Sequence, residues 1–373
     1  MLCLYSPDLK DTQQTEMKKD QKVSLLDEEE APDRFVDMNE TSRLTAQDGG
    51  VETTLFHGLP QETVRTSKGD ILVAIQGDRT KKGNALVTLP DIGQNHITCY
   101  QSFFCFHQFK PVTDHFTVYH INFPGQNDNA SALPDDYVYP TMDEMASVLG
   151  EVFNYFSLKS TVCIGAGAGA NVLTRLALAS PKLIECLVLV GGTVGTSSWT
   201  EWGYEKMSSH YLKTKGMTAF CQDYLLWHFF GKIDERTNQD LLGMVRDQLN
   251  SIKHPKNLAL LIEAYSKRTA IKIERPVPPN PGKTTLTCGV LLMAGSQSPA
   301  IDETVTMNSK LDPTNSTWMK ISDATSLILE EKPTVCTNAI INFLQGYGYV
   351  MKLRAPTLSF TTHEEIVAPP SVC

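Results

Sequence analysis

Five residues, Gly165-Ala166-Gly167-Ala168-Gly169, keep the G-x-S-x-G spacing on which acyl-transfer enzymes mount a nucleophile, with the reactive residue replaced. An apolar run, Thr161 to Ile164, precedes them and a helix-like run, Ala170 to Ala179, follows. In a working nucleophile elbow the middle position carries Ser, Cys or Asp on a strained strand-to-helix turn that projects the reactive atom above a sheet. Here that position is Gly167, which supplies no reactive atom and is expected to relax the turn. The frame therefore points to an architecture built for hydrolysis that no longer performs it. Gly165, Gly167 and Ala170 also satisfy the dinucleotide spacing G-x-G-x-x-G/A. That reading lacks its context: several apolar runs precede the motif, and Glu185 lies before the next strand rather than at its end. No Gly-Lys-Ser/Thr follows, which excludes a phosphate-binding P-loop.

Other chemistry-bearing residues are dispersed. The nine histidines include no H-E-x-x-H spacing, and His115 and His120, an odd number apart along one apolar run, point to opposite faces of a strand. Nine cysteines without C-x-x-C pairs read as reduced thiols, neither a disulfide framework nor a zinc site. No metal and no cofactor is expected.

The elements that must position the elbow alternate. Short apolar runs at Ile71 to Ile75, Ala85 to Leu89, Phe116 to Ile121, Thr161 to Ile164, Cys186 to Val190 and Leu286 to Ala294 read as buried strands. Helical periodicity covers Thr141 to Phe156, Ala170 to Ala179 and Pro333 to Phe343, and Thr141 with Glu144 makes a capping box. Such alternation predicts an α/β fold with a mostly parallel central sheet covered by helices on both faces. From about Thr193 to Ile273 the alternation gives way to amphipathic helical patterns containing Trp199, Trp202, Trp227 and His228, which matches a helical cap inserted over the sheet. The three tryptophans read as packing anchors of that cap, with a partner-binding groove as the alternative; Trp199 and Trp202 share a face only if their segment is helical.

A 373-residue chain that is 41% hydrophobic can bury one large core. Its net charge of -9 argues against nucleic-acid binding. Two thirds of that charge lies in residues 1–50, which carry 12 acidic and 6 basic side chains and read as a disordered acidic arm, with an acidic docking tail as the alternative. Residues 51–350 form the α/β domain, and residues 351–373 a flexible tail. The chain has no apolar run of membrane-spanning length, its first thirty residues are polar and charged, and Leu2 and the terminal Pro370-Ser371-Val372-Cys373 match no lipidation signal. A cytoplasmic protein without integral membrane association is expected, with peripheral association left open.

Several segments together resemble the N-myc downstream-regulated (NDRG) family of non-enzymatic proteins with the α/β-hydrolase fold. They are Asp91 to His96, Pro124 to Asp128, Tyr139 to Asp143, the elbow with Asn171 to Arg175, Ile273 to Pro276, Ser309 to Pro313 and Phe343 to Tyr349. The resemblance runs from about residue 50 to 350. It departs at Asn122-Phe123, where an Asp usually precedes Pro-Gly, and in a tail without repeated phosphorylation-rich decapeptides.

The fold so implied sets positions for a catalytic triad. The general acid should follow the strand ending at Ala294, where Ser298 stands, and the base should precede the last helix, where Ser326 stands. Gly167, Ser298 and Ser326 are thus the vacant nucleophile, acid and base. Asp302 and Asp323 lie nearby but make poor bases without an imidazole. The backbone donors of an oxyanion hole map to Ala168 and to Ile92-Gly93, with His96 the best-located histidine, whose plainer reading is a loop side chain bonded to backbone. Helix-start amides of this kind attract anions or carbonyls, so a vestigial pocket remains able to hold a small molecule. The resemblance implies a non-catalytic protein that binds other proteins in signalling, stress response, differentiation or trafficking. A hydrolase with an unorthodox site and a small-molecule sensor are the alternatives.

Overall fold

The computed structural model describes residues 56, 58–80, 83–276 and 284–351. The acidic arm at 1–50 lies outside the described residues, as does all of the 351–373 tail except Met351.

Eight strands form one sheet: β1 (Gln61–Thr66), β2 (Gly69–Gln76), β3 (Asn84–Leu89), β4 (Phe116–Ile121), β5 (Thr161–Ala166), β6 (Ile184–Val190), β7 (Gly289–Gly295) and β8 (Ser316–Ile321). Their spatial order is β1-β2-β4-β3-β5-β6-β7-β8. β2 pairs antiparallel with both β1 and β4, and every other pairing is parallel. The six apolar runs are β2 to β7, while β1 and β8 had no such signal because they are edges. β1 has a single fully buried side chain, Val64, as does β8 in Ile321.

Consecutive residues of the central strands face opposite layers, as a period of two requires. Val87, Leu89, Cys163, Leu187 and Leu189 pack on one face against α3 (Met142–Tyr155) and α4 (Ala168–Ala179). Leu86, Val162, Ile164, Cys186 and Val188 pack on the other against α1 (His96–Phe104) and α11 (Pro333–Gly346). The expected capping box is formed: Thr141 Oγ1 accepts from Glu144 N at 3.2 Å and the Glu144 carboxylate accepts from Thr141 N at 2.9 Å. Short α2 (Lys110–His115) leads into β4. His115 ends that helix rather than lying on the strand, and bonds Asn84, whereas His120 is buried on β4 against Thr88.

Four helices between β6 and β7 make the cap: α5 (Trp199–Thr214), α6 (Ala219–Phe230), α7 (Gln239–Asn250) and α8 (Pro255–Ser266). Buried Asn257 staples it to the loop between β4 and α3, donating to Gly125 O at 3.0 Å and Ser131 O at 2.9 Å and accepting from Leu133 N at 2.9 Å. After β7 come α9 (Ile301–Lys310) and, beyond β8, α10 (Ile328–Glu331).

From β3 the chain crosses to β4 on one side, while β5 flanks β3 on the other. This topological switch opens a crevice at the strands' carboxyl ends, where open α/β sheets place their ligands. Gly169 sets its width: a Cβ there would lie 2.0 Å from Leu89 O. Gly169→Ala is expected to force α4 away from β3 and to destabilise the protein by about 1–3 kcal/mol in denaturant unfolding, the usual cost of overpacking.

Candidate functional site

The elbow keeps its strained form. Gly167 sits between β5 and α4 at φ 46° and ψ -110°, so the expectation of a relaxed turn is corrected: glycine makes the conformation inexpensive without removing it. A side chain there would have no room, because a Cβ at Gly167 would lie 2.1 Å from the carboxylate of Asp91.

Asp91 packs its carboxylate over the elbow. It follows β3 by two residues, and its Oδ1 accepts from Ala168 N at 2.8 Å and from its own neighbour Ile92 N at 2.7 Å. These are the two backbone donors that the sequence maps to an oxyanion hole, and here they converge on one oxygen of the protein itself. The other oxygen, Oδ2, lies 2.8 Å from His228 Nε2, which α6 of the cap brings down over the crevice. Both side chains are largely buried. Burial alone would raise the Asp91 pKa, but the charge and hydrogen bond of His228 and the two amides outweigh it and hold the carboxyl below its usual range. Burial likewise works against a charged His228, and the Asp91 charge and hydrogen bond outweigh it and raise its pKa.

The remaining sequence-derived positions distribute unevenly. Gly167, Ser298 and Ser326 line one cavity of about 220 Å³ under the cap. Ser298 Oγ and Ser326 Oγ are 2.9 Å apart, and Ser326 Oγ donates to His228 O at 3.2 Å, so the two serines satisfy each other and tie the sheet to the cap. Gly93, at φ 73°, does not line this cavity; a Cβ there would meet Leu225 and Leu249 of the cap. His96 is no loop residue. It opens α1, fully buried, where its backbone N donates to Asn122 Oδ1 at 2.9 Å and its ring lies 5.9 Å from that of Phe56. Asn122, the departure from the family pattern, thus supports His96 from β4's carboxyl end. Asp302 stands in the first turn of α9 and Asp323 in a turn after β8, and neither lines the cavity.

The tryptophans are not core anchors. Trp199 is 87% exposed, and Trp202 and Trp227 are exposed as well. Their segment is helical, so Trp199 and Trp202 share a face and their rings pack edge to face at 5.9 Å. Trp227 lines the cavity.

Asp91 and His228 are what reasoning from motifs missed. The signal for Asp91 was a carboxylate directly before the mapped oxyanion amide of Ile92. His228, on a cap helix 137 residues away, had none. Among the described residues no group of three or more His, Cys, Asp or Glu side chains is placed to hold a metal ion, and no helix is long and apolar enough to cross a membrane.

Solved structures share this architecture. A thermophilic esterase from Thermogutta terrifontis matches with a TM-score of 0.62 at 19% identity, over 77% of this chain and 98% of the esterase. The enol-lactonase of Burkholderia xenovorans LB400 matches with a TM-score of 0.61 at 17% identity, over 76% of this chain and all of the enzyme. The fold is that of the α/β-hydrolases. Within that class, residues 61–351 match the Ndr family. Protein NDRG3 of Xenopus laevis is 37% identical over 82% of this chain and 80% of its own length. Protein NDRG1 of Xenopus tropicalis is 35% identical over 81% and 74%, and protein NDRG4 of the same species 36% identical over 79% and 71%. The chain belongs to the Ndr, or N-myc downstream-regulated, family.

The Asp91–His228 pair makes stability depend on pH. A raised His228 pKa adds stability that is complete below the ordinary histidine value of 6.5 and fades as pH rises through the raised value. A lowered Asp91 pKa adds stability that is complete above the ordinary aspartate value of 3.8 and fades as pH falls through the lowered value. The contribution is therefore greatest between these two ordinary values. Asp91→Asn keeps an acceptor for the two amides but removes the charge; it is expected to cost about 3 kcal/mol inside that window and less at alkaline pH. Urea unfolding at a series of pH values measures this, and a cost independent of pH would show that the pair does not titrate as a unit.

Proposed function

We propose that this chain is a non-catalytic member of the hydrolase fold that works in the cytoplasm by binding other proteins, in the signalling, stress, differentiation or trafficking settings that its family implies. One observation carries the non-catalytic reading: the Asp91 carboxylate fills both oxyanion donors and the space above Gly167. A substrate carbonyl would have to displace a buried anion from two hydrogen bonds and an ion pair, and would then meet no nucleophile. The absent imidazole at Ser326 and carboxylate at Ser298 agree with it.

The hydrogen-bonded Asp91–His228 pair is the one feature that favours an unorthodox hydrolase. Against that reading, the carboxylate already saturates its own oxyanion hole, and the imidazole spends Nε2 on it. Purified protein is expected to hydrolyse p-nitrophenyl esters no faster than its His228→Ala variant. Saturable turnover that vanishes in that variant would establish an enzyme.

Gly167→Ser is expected to remain inactive and to lose stability, since the Cβ meets Asp91 and a side chain at positive φ costs a further ~1–3 kcal/mol. Esterase activity in this single variant would overturn the proposal.

For protein binding, the supporting feature is the surface of α5, where Trp199, Trp202, Tyr204 and Met207 are exposed. Aromatic residues of this kind dominate interface energetics. Trp199→Ala and Trp202→Ala, with folding checked by circular dichroism, are expected to weaken capture of cellular partners. Capture that survives both but fails on deletion of residues 1–45 would place the interaction on the acidic arm.

A further inference from the structure

The cavity under the cap is lined by more carboxyl groups than its own cations pair with. Its walls include the acids Asp91, Glu201, Glu303 and Glu330 and the bases His228 and Arg268. Both bases are committed. His228 is bonded to Asp91 at 2.8 Å. Arg268, whose side chain is 1% exposed, pairs with Glu201 at 3.0 Å and lies 3.7 Å from Glu205, a residue buried behind the wall. Glu303 and Glu330, both half-buried, have no cation within ion-pair distance among the described residues.

A second, independent feature borders the same space. Thr193, just beyond β6, is 4% exposed and lines the cavity, and its Oγ1 has no hydrogen-bond partner among the described residues. A buried hydroxyl left unmatched costs free energy, and one that borders a cavity is satisfied by whatever enters. The wall also carries polar side chains, among them Gln94, Ser298 and Ser326, and an apolar or aromatic part made by Trp227, Phe229, Leu327 and Leu329.

We propose that this cavity binds a small organic ammonium ion, with Glu303 and Glu330 supplying the compensating charge, Thr193 a hydrogen bond, and Trp227 with its apolar neighbours enclosing the hydrocarbon body. An anion is disfavoured twice, by the two unpaired carboxyls and because the backbone donors at Ala168 and Ile92 are already taken by Asp91. A neutral ligand would draw no charge–charge attraction from either carboxyl. Burial raises the pKa of Glu303, aided by the Glu201 charge and opposed by that of Arg268, and pushes Glu330 up to about 8, so the charged form of each is held back and a bound cation would favour it. The aromatic wall adds the attraction of a ring face for a cation. The site goes beyond the protein-binding role and does not depend on it.

The test uses the full chain and three matched probes, 2-phenylethylammonium, 2-phenylethanol and 3-phenylpropionate, followed by calorimetry. The ammonium is expected to bind at least about tenfold more tightly than either of the others. Glu303→Gln and Glu330→Gln should each weaken it by roughly tenfold, the loss of one charged partner, and Thr193→Val by less. Asp302→Asn removes an exposed carboxylate beside Glu303 and outside the cavity, and should leave affinity unchanged; a loss equal to that of Glu303→Gln would reduce the effect to net charge and overturn the proposal. Equal binding of the carboxylate or the alcohol overturns it also, as does no detectable binding of the ammonium up to about 10 mM. None of these outcomes bears on ester hydrolysis or on partner capture, so the proposal and the protein-binding role fail separately.

Discussion

A carboxylate taken out of water must be repaid in charge and hydrogen bonds, and the way Asp91 is repaid organises the molecule. Each of its compensators belongs to a different part of the chain. Ala168 N comes from the first turn of α4, Ile92 N from the loop after β3, and His228 from the cap. The sheet's switch point, the elbow and the cap are thus held to one another through a single side chain. Ser326 reinforces the arrangement, donating from its backbone to Phe229 O at 2.9 Å and from its hydroxyl to His228 O.

The cap is anchored by charge at a second place. Arg175 on α4, itself buried, bonds Asn171, the Asp143 carboxylate of α3 and Thr269 at the cap's exit. Arg268 gathers Glu201 and the fully buried Glu205, and stacks on Tyr265 at 4.1 Å. Glu205 is pushed up to about 7, chiefly by burial and also by the Glu201 charge, because one guanidinium serves two acids. These ion pairs fix the roof of the cavity, and they leave its cations forming no direct ion pair with Glu303 or Glu330 among the described residues.

Much of the fold could be read from the sequence because central strands are buried on both faces and so appear as unbroken apolar runs. β1 and β8 escaped notice for the opposite reason, since an edge strand such as Gln61–Thr66 keeps most of its side chains in water. The glycine frame and its two flanking elements located the elbow correctly. Its strain could not be read, because glycine marks positions that need an unusual backbone and positions that need no side chain alike. The Asp91–His228 contact joins residues 137 apart across two layers, and no local pattern encodes such a meeting. The tryptophans were misjudged on size: bulk favours burial on average, yet Trp199 and Trp202 stay exposed on the cap with their rings edge to face.

The 2.1 Å between Asp91 and the absent Cβ of Gly167 also restricts the routes by which the sequence can change. A side chain at 167 is blocked while Asp91 remains, and removing Asp91 first strands His228 and two buried amides. Neither residue can be altered alone without loss, so the two positions are tied into a single unit of inheritance. The contact therefore behaves as a ratchet, holding these two positions together while the cap and the cavity walls stay free to diversify.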